Sequence, residues 1–128
     1  MFNPKNIGGV LRGWEYYPAA AGTYKSGQLL NMTGGKLAPV AAASKTTPGY
    51  LCVADITVAE GALVPAQRIV KDAIYVTELS AEAADTKEGA KLQVSAGGLA
   101  VDAAAAGTFE VTYIADTAAG AEVHGRFC

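Results

Sequence analysis

His124 is the only imidazole in this chain, and it lies in the glycine-rich stretch "GAEVHGRFC" near the end, three residues after Ala121. An isolated imidazole in such a stretch is expected to be a solvated side chain, with no partner to serve as general base. Ser26, Ser44, Ser80 and Ser95 all stand beside turns or alanine-rich loops, and none sits in a Gly-x-Ser-x-Gly elbow. Glu82, Asp85 and Glu88 form the densest carboxylate group, at a spacing that suits an exposed charged face. Gly34-Gly35 and Gly97-Gly98 lead into Leu-Ala and not into a helix start, so neither pair cradles phosphate. Cys52 lies in the apolar "YLCVAD" and Cys128 is the final residue, and both are expected to be free thiols. Two cysteines and one histidine lack zinc-ligand spacing. The expectation is a protein that is no enzyme and holds no metal or cofactor.

With catalysis set aside, size and charge narrow the remaining classes. A chain of 128 residues has room for one domain, and it can fold without a disulfide or metal. Ten basic and twelve acidic residues leave a net charge of −2, and the cations are scattered. No basic stripe interleaved with aromatics marks a nucleic-acid surface. No apolar run is long enough for a signal peptide or a membrane span, so the expected place of synthesis is the cytoplasm, without membrane contact.

The elements read as short strands. Tyr24–Met32 and Lys36–Val40 flank Thr33-Gly34-Gly35 as a hairpin, because glycine reaches positive φ without strain. Gly49–Val58 is an apolar run rich in strand formers. Arg68–Leu79 alternates with apolar residues on both faces and is expected to be a central strand. Lys91–Val94 and Leu99–Val101 form a second hairpin around Ala96-Gly97-Gly98. Thr108–Ala115 puts Phe109, Val111 and Tyr113 on one face. Ser80–Glu88 has a possible N-cap but no apolar stripe, which allows one or two exposed helical turns at most. Tyr50, Tyr75 and Tyr113 are expected in the core or at strand edges. Two stretches, "LLNMTGGKLAPVAAASKTTPGYLCVAD" and "LQVSAGGLAVDAAAAGTFEVTYIAD", share an order of strand, Gly-Gly turn, alanine loop and strand ending Ala-Asp. Alanine-rich text produces such matches by chance, so repeat and coincidence both stand.

The first residues differ from the rest. Pro4 and Gly8-Gly9 resist regular structure, and Phe2, Trp14, Tyr16 and Tyr17 cluster in sequence. Two readings stand: an arm that docks on a partner through aromatic anchors, or a frayed terminus with a hydrophobic plug. The expected fold is all-β, a small single-domain sandwich or barrel over 21–128 with an extended N-terminal arm over 1–20.

Four signatures carry a family resemblance: Gly27-Gln28-Leu29-Leu30, Gly35-Lys36-Leu37, the alanine link Ala41–Ser44, and Gly49-Tyr50-Leu51 through Ala54-Asp55. In that order they resemble the small head decoration, or cement, proteins of tailed bacteriophages, best over Ala21–Val76. The resemblance implies a structural virion protein that binds the major capsid protein on the outside of the shell, as a homotrimer at three-fold positions. It implies an arm that orders on the capsid, with Phe2, Asn3, Pro4, Trp14, Tyr16 and Tyr17 as the contacts. The bulky aromatic group near the arm and the terminal Phe127-Cys128 depart from the pattern. The alternative is a receptor- or carbohydrate-binding β-module of a fibre or adhesin, which would show an exposed aromatic platform.

Overall fold

A computed structural model describes residues 1–6, 13–104 and 106–128. Thirteen strands are described: β1 (Asn3–Asn6), β2 (Glu15–Pro18), β3 (Gly22–Tyr24), β4 (Leu29–Thr33), β5 (Lys36–Pro39), β6 (Tyr50–Cys52), β7 (Ile56–Val58), β8 (Leu63–Arg68), β9 (Ile74–Glu78), β10 (Lys91–Val94), β11 (Val101–Asp102), β12 (Phe109–Ile114) and β13 (Glu122–Phe127). They form a six-stranded sheet in the order β1-β9-β13-β12-β10-β11, a five-stranded sheet β2-β8-β6-β4-β5, and the ribbon β3-β7. The fold is all-β, with no helix among the described residues.

The two large sheets are built on one plan. In β2, β4, β5, β6, β8 and again in β9, β10, β11, β12, β13, the spatial order is first, fifth, fourth, second, third. Registers match as well: Tyr17↔Val64 corresponds to Thr77↔Val123, Cys52↔Ala66 to Val111↔Gly125, Leu30↔Tyr50 to Leu92↔Phe109, and Met32↔Leu37 to Val94↔Val101. In each unit one parallel bridge joins the outer strands, Ala19↔Leu37 in the first and Leu79↔Val101 in the second, so each set closes on itself as a small barrel. Even the supporting bonds recur: Gly61 N–H donates to Ala19 O, and Gly120 N–H to Leu79 O, both at 2.8 Å. These two glycines sit in the motifs Ala59-x-Gly61-Ala62-x-Val64 and Ala118-x-Gly120-Ala121-x-Val123, which lead into β8 and β13. The repeat glimpsed in the alanine-rich text is therefore present in topology and register.

Each unit has its own interior. Ala19, Tyr24, Leu30, Leu37, Cys52, Val64 and Ala66 fill the first. Their counterparts Leu79, Leu92, Val101, Val111 and Val123 lie in a larger second cluster, which also takes in Phe2, Leu29, Val40 and Leu51. Alternation along a strand explains the split: Leu30 and Cys52 face inward, while Leu29 and Leu51 point out of the first unit into the second. The carbonyls of Gly97 and Gly98 close the seam, accepting from Gln28 Nε2 and Leu29 N–H at 2.8 Å each.

Tyr24 helps to lock the first unit. Its ring is buried, and its hydroxyl lies 2.7 Å from Ala20 O and 3.1 Å from Leu37 O, across the point of closure. Tyr24→Phe is expected to lower stability by about 1 kcal/mol in urea denaturation, the usual net worth of such a bond. Burial, reinforced by Glu60 and Cys52, pushes the Tyr24 hydroxyl above its ordinary range. A raised folded-state value favours the neutral form, so Tyr24's stabilisation is complete below the unfolded pKa of about 10 and is lost as pH rises through the folded one. The Phe variant should show a smaller alkaline loss than the parent.

Several expected elements are corrected. The N-terminal arm begins as a strand: β1 pairs with β9 through Asn3↔Val76 and Pro4↔Tyr75, and Phe2 is 1 % exposed. Pro4 is tolerated because β1 is an edge strand. Trp14–Tyr17 leads into and forms β2, so both described parts of 1–20 belong to the body; residues 7–12, with the Gly8-Gly9 hinge, lie outside the described residues. Arg68–Leu79 is not one strand, because the chain turns at Asp72, whose φ is 72°, between β8 and β9. Tyr24–Met32 and Gly49–Val58 each split in two, between the ribbon and the five-stranded sheet. Ser80–Glu88, where at most one or two helical turns are expected, stays within that limit: it contains turns and no helical turn, with Asp85 left-handed at φ 67°. A register shift between Val111 and Tyr113 turns Tyr113 outward, where it is 48 % exposed, and brings Ile114 against the core. The Gly34-Gly35 hairpin is as expected, with Thr33↔Lys36 as the closing pair.

Candidate binding surface

The six sequence-derived contact residues do not form one site. Phe2 packs in the second core, its ring centroid 5.9 Å from both Phe109 and Phe127, so it is no surface anchor. Asn3 and Pro4 lie on the outer edge of the six-stranded sheet. Trp14, Tyr16 and Tyr17 are on the five-stranded sheet, at or beside its β2 edge.

Alternation along β2 divides that group in two. Trp14 and Tyr16 point out of the first unit and are 51 % and 57 % exposed, with ring centroids 5.2 Å apart and planes 82° apart. Tyr16 lies opposite Pro65, and Pro18 opposite Leu63, which places Leu63 on the same outer face. Leu63 is also exposed. Trp14, Tyr16 and Leu63 thus make an apolar surface along a sheet edge. On the other face Tyr17 stacks edge-on against Tyr50 at 4.9 Å, and its hydroxyl donates to Glu15 Oε2 at 3.3 Å. The Arg68 guanidinium lies over the Tyr50 ring at 5.9 Å. Hydrogen bonding with Tyr17, reinforced by Tyr50, favours the charged guanidinium further.

Beyond Arg68 runs a groove of about 620 Å³, carrying Lys45, Arg68 and Lys71 with the hydroxyls of Thr46, Thr47 and Thr108. Its cations stand near solvent, where screening leaves each with a weak pull on an anion.

His124 is less exposed than its sequence context implies. It sits in β13 opposite Tyr113, with Nε2 2.9 Å from Glu122 Oε2 and Nδ1 3.2 Å from Lys5 Nζ. These contacts hold the ring on the sheet and present no nucleophile to it. No group of three or more His, Cys, Asp or Glu side chains that could hold a metal occurs among the described residues. Both cysteines are free thiols, and burial pushes Cys52 above the ordinary thiol range.

Leu63 was not legible as a surface contributor, because β8 contains a proline and reads poorly as a strand, and Arg68, which ends β8, reads in sequence as the start of the following strand. Pro65 is accommodated where β6 has already ended: its carbonyl accepts from Val53 N–H at 3.2 Å, and no ladder donor is required of it. The repeated Ala-x-Gly-Ala-x-Val motif was the signal that could have found both β8 and β13. No protein-family model matches the chain, and no curated protein matches it either.

Proposed function

We propose that this chain is a structural decoration protein that binds the outer surface of a bacteriophage capsid and stabilises the shell. The observation that carries the reading is the exposed Trp14–Tyr16–Leu63 surface on a small, otherwise well-packed β-body. Clustered exposed aromatics of this kind serve as interface anchors. The resemblance in sequence supports it: its signatures fall on the turn before β4, the β4–β5 hairpin and β6, which form the frame of the first unit. In this reading the partner is the major capsid protein, the bound form is a homotrimer, and the site of action is the virion exterior. Cementing needs no reaction, since each contact made across neighbouring subunits adds to the free energy of separating them.

The exposure of Trp14 and Tyr16 also favours the second reading, a receptor- or glycan-binding module, because sugars stack on exposed aromatic faces. Co-sedimentation with empty shells of the major capsid protein separates the two. Saturable shell binding that falls about tenfold or more in Trp14→Ala, as expected on loss of an interface hot spot, is the predicted result. No shell binding, together with retention on a glycan array that Trp14→Ala abolishes, would overturn the decoration reading.

A further inference from the structure

The two units differ at one edge. In the second, β9 carries β1 as an additional strand. In the first, the equivalent strand β2 has no described strand beyond it over Glu15–Tyr17. We propose that the β2 edge receives an extended segment of a partner chain, in the position that β1 occupies on β9; that the partner is the shell subunit rests on the function proposed above.

The backbone is set for it. Tyr16 faces Pro65, which has no N–H and whose carbonyl is turned to Val53. Tyr16 therefore stands at a non-hydrogen-bonded position of the β2–β8 ladder, with its own N–H and C=O directed away from β8. Its counterpart by register is Val76, opposite His124, and Val76 pairs on its other side with Asn3. Trp14 corresponds in the same way to Ile74, which pairs with Asn6. Edge strands are normally blunted by charge, a bulge or a covering loop. β2 carries a charge at Glu15 and a proline at Pro18, but between and beside them it presents the exposed rings of Tyr16 and Trp14, which suits an edge that is covered when the protein is at work.

The template also gives the chemistry of the occupant. Phe2, just before β1, seats against Phe109 and Phe127. By register these correspond to Tyr50 and Arg68. In the first unit Tyr17, the counterpart of Thr77, already stacks on Tyr50 beside the Arg68 guanidinium. An aromatic residue just before the first paired residue of an incoming strand would therefore pack against this Tyr17–Arg68 surface, which favours aromatic over aliphatic anchors. A second copy pairing β2 to β2 fits less well. Centred on Tyr16, it would set Trp14 opposite the partner copy's Pro18, which lacks an N–H, so each flanking pair would keep only the bond donated by Trp14. Ala19 and Ala20 are already engaged with Leu37.

The test uses the full chain and a synthetic peptide, Met-Phe-Asn-Pro-Lys-Asn, the sequence that fills the equivalent edge. Isotope-labelled protein is titrated with the peptide, and amide shifts and exchange are followed. The expected result is saturable shifts and slowed exchange at Trp14 and Tyr16, lost with the peptide carrying alanine in place of its Phe. Tyr16→Pro removes the outward N–H together with the exposed ring, whereas Tyr16→Ala removes the ring alone. The proline variant should bind about tenfold more weakly than the alanine variant, the worth of one or two hydrogen bonds, with the parental spectrum kept elsewhere in both. Shifts confined to Val76 and its neighbours, meaning exchange with the resident β1, would overturn the inference. So would concentration-dependent pairing of β2 with itself, or no response at Trp14 and Tyr16 up to millimolar peptide. Peptide binding at β2 in a protein that ignores shells would leave this edge established and the decoration reading refuted.

Discussion

Phe2→Ala is expected to lower the stability of the protein by roughly 3–5 kcal/mol, the range for deleting a buried aromatic side chain. The ring is 1 % exposed and packs against Phe109 and Phe127, while Tyr75 closes on Phe127 at 5.5 Å. Its removal strips partners from that aromatic cluster, and the site collapses poorly because Gly125 and Gly27 already let the backbone approach closely on either side. Single domains have a total stability of about 5–15 kcal/mol, so a fifth or more of the folding free energy is at stake. A urea midpoint should fall accordingly with the slope unchanged, while Phe2→Leu should cost much less because most of the volume is kept. Trp14→Ala, at a half-exposed position, should move the midpoint far less. The reverse order, with Trp14 costly and Phe2 silent, would place the first residues outside the core and restore the free arm.

That ordering also marks where the sequence misled. Pro4 and the glycines after it carry the local signals of an irregular segment, and an unpaired arm follows from them. What overrode those signals is tertiary: β9 offers a free edge, and the pocket between Phe109 and Phe127 accepts one more ring. Neither is visible from the first residues alone. The hairpin at Gly34-Gly35 was legible because its register is set locally by the turn. Tyr113 was misplaced for the opposite reason, since alternation carried through Thr112 cannot anticipate a bulge that turns every later residue over. β13 was missed because His124 and Gly125 interrupt an apolar pattern. Gly125 is there for close packing: a Cβ would stand 2.5 Å from both Glu110 O and the Phe109 ring.

For the binding surface, residue type was legible and arrangement was not. Trp14 and Tyr16 were recognisable as candidate contacts, and they are exposed at and just before β2. Their neighbour Leu63 comes from β8, a strand that only the register with β2 reveals. The repeat adds what neither residue type nor exposure supplies, a comparison within one molecule between an edge that is filled and an edge with no further strand among the described residues. Duplication of a small closed unit gives two copies of the same edge, and the first strand of the chain can serve only one of them.

Gly98→Val is expected to be the most damaging of the turn substitutions, and Gly35→Val the informative control. Both glycines have left-handed backbone, with φ of 74° and 79°, so each valine incurs strain of roughly 1 kcal/mol. Around Gly35 nothing lies within 4 Å of an added Cβ, and the cost ends there. At Gly98 the Cβ would stand 2.5 Å from Leu29 O and 3.2 Å from Leu29 N, and neither atom can move aside as a flexible side chain would. The contact belongs to the seam between the units, where Leu29 N–H donates to Gly98 O at 2.8 Å and Gly97 N–H to Val40 O at 2.7 Å. Relief of the overlap must therefore stretch bonds that hold the first unit to the second. Overpacking adds about 1–3 kcal/mol to the strain, for a total of roughly 2–4 kcal/mol. Because the seam is what is damaged, exchange protection of the Leu29 amide should fall further in Gly98→Val than that of Cys52, which lies in β6 and bonds within the first unit through Gln28. Equal melting of the two variants would mean that the loop between β10 and β11 stands away from Leu29, and the two units would then lack the contact that Gly98 makes possible.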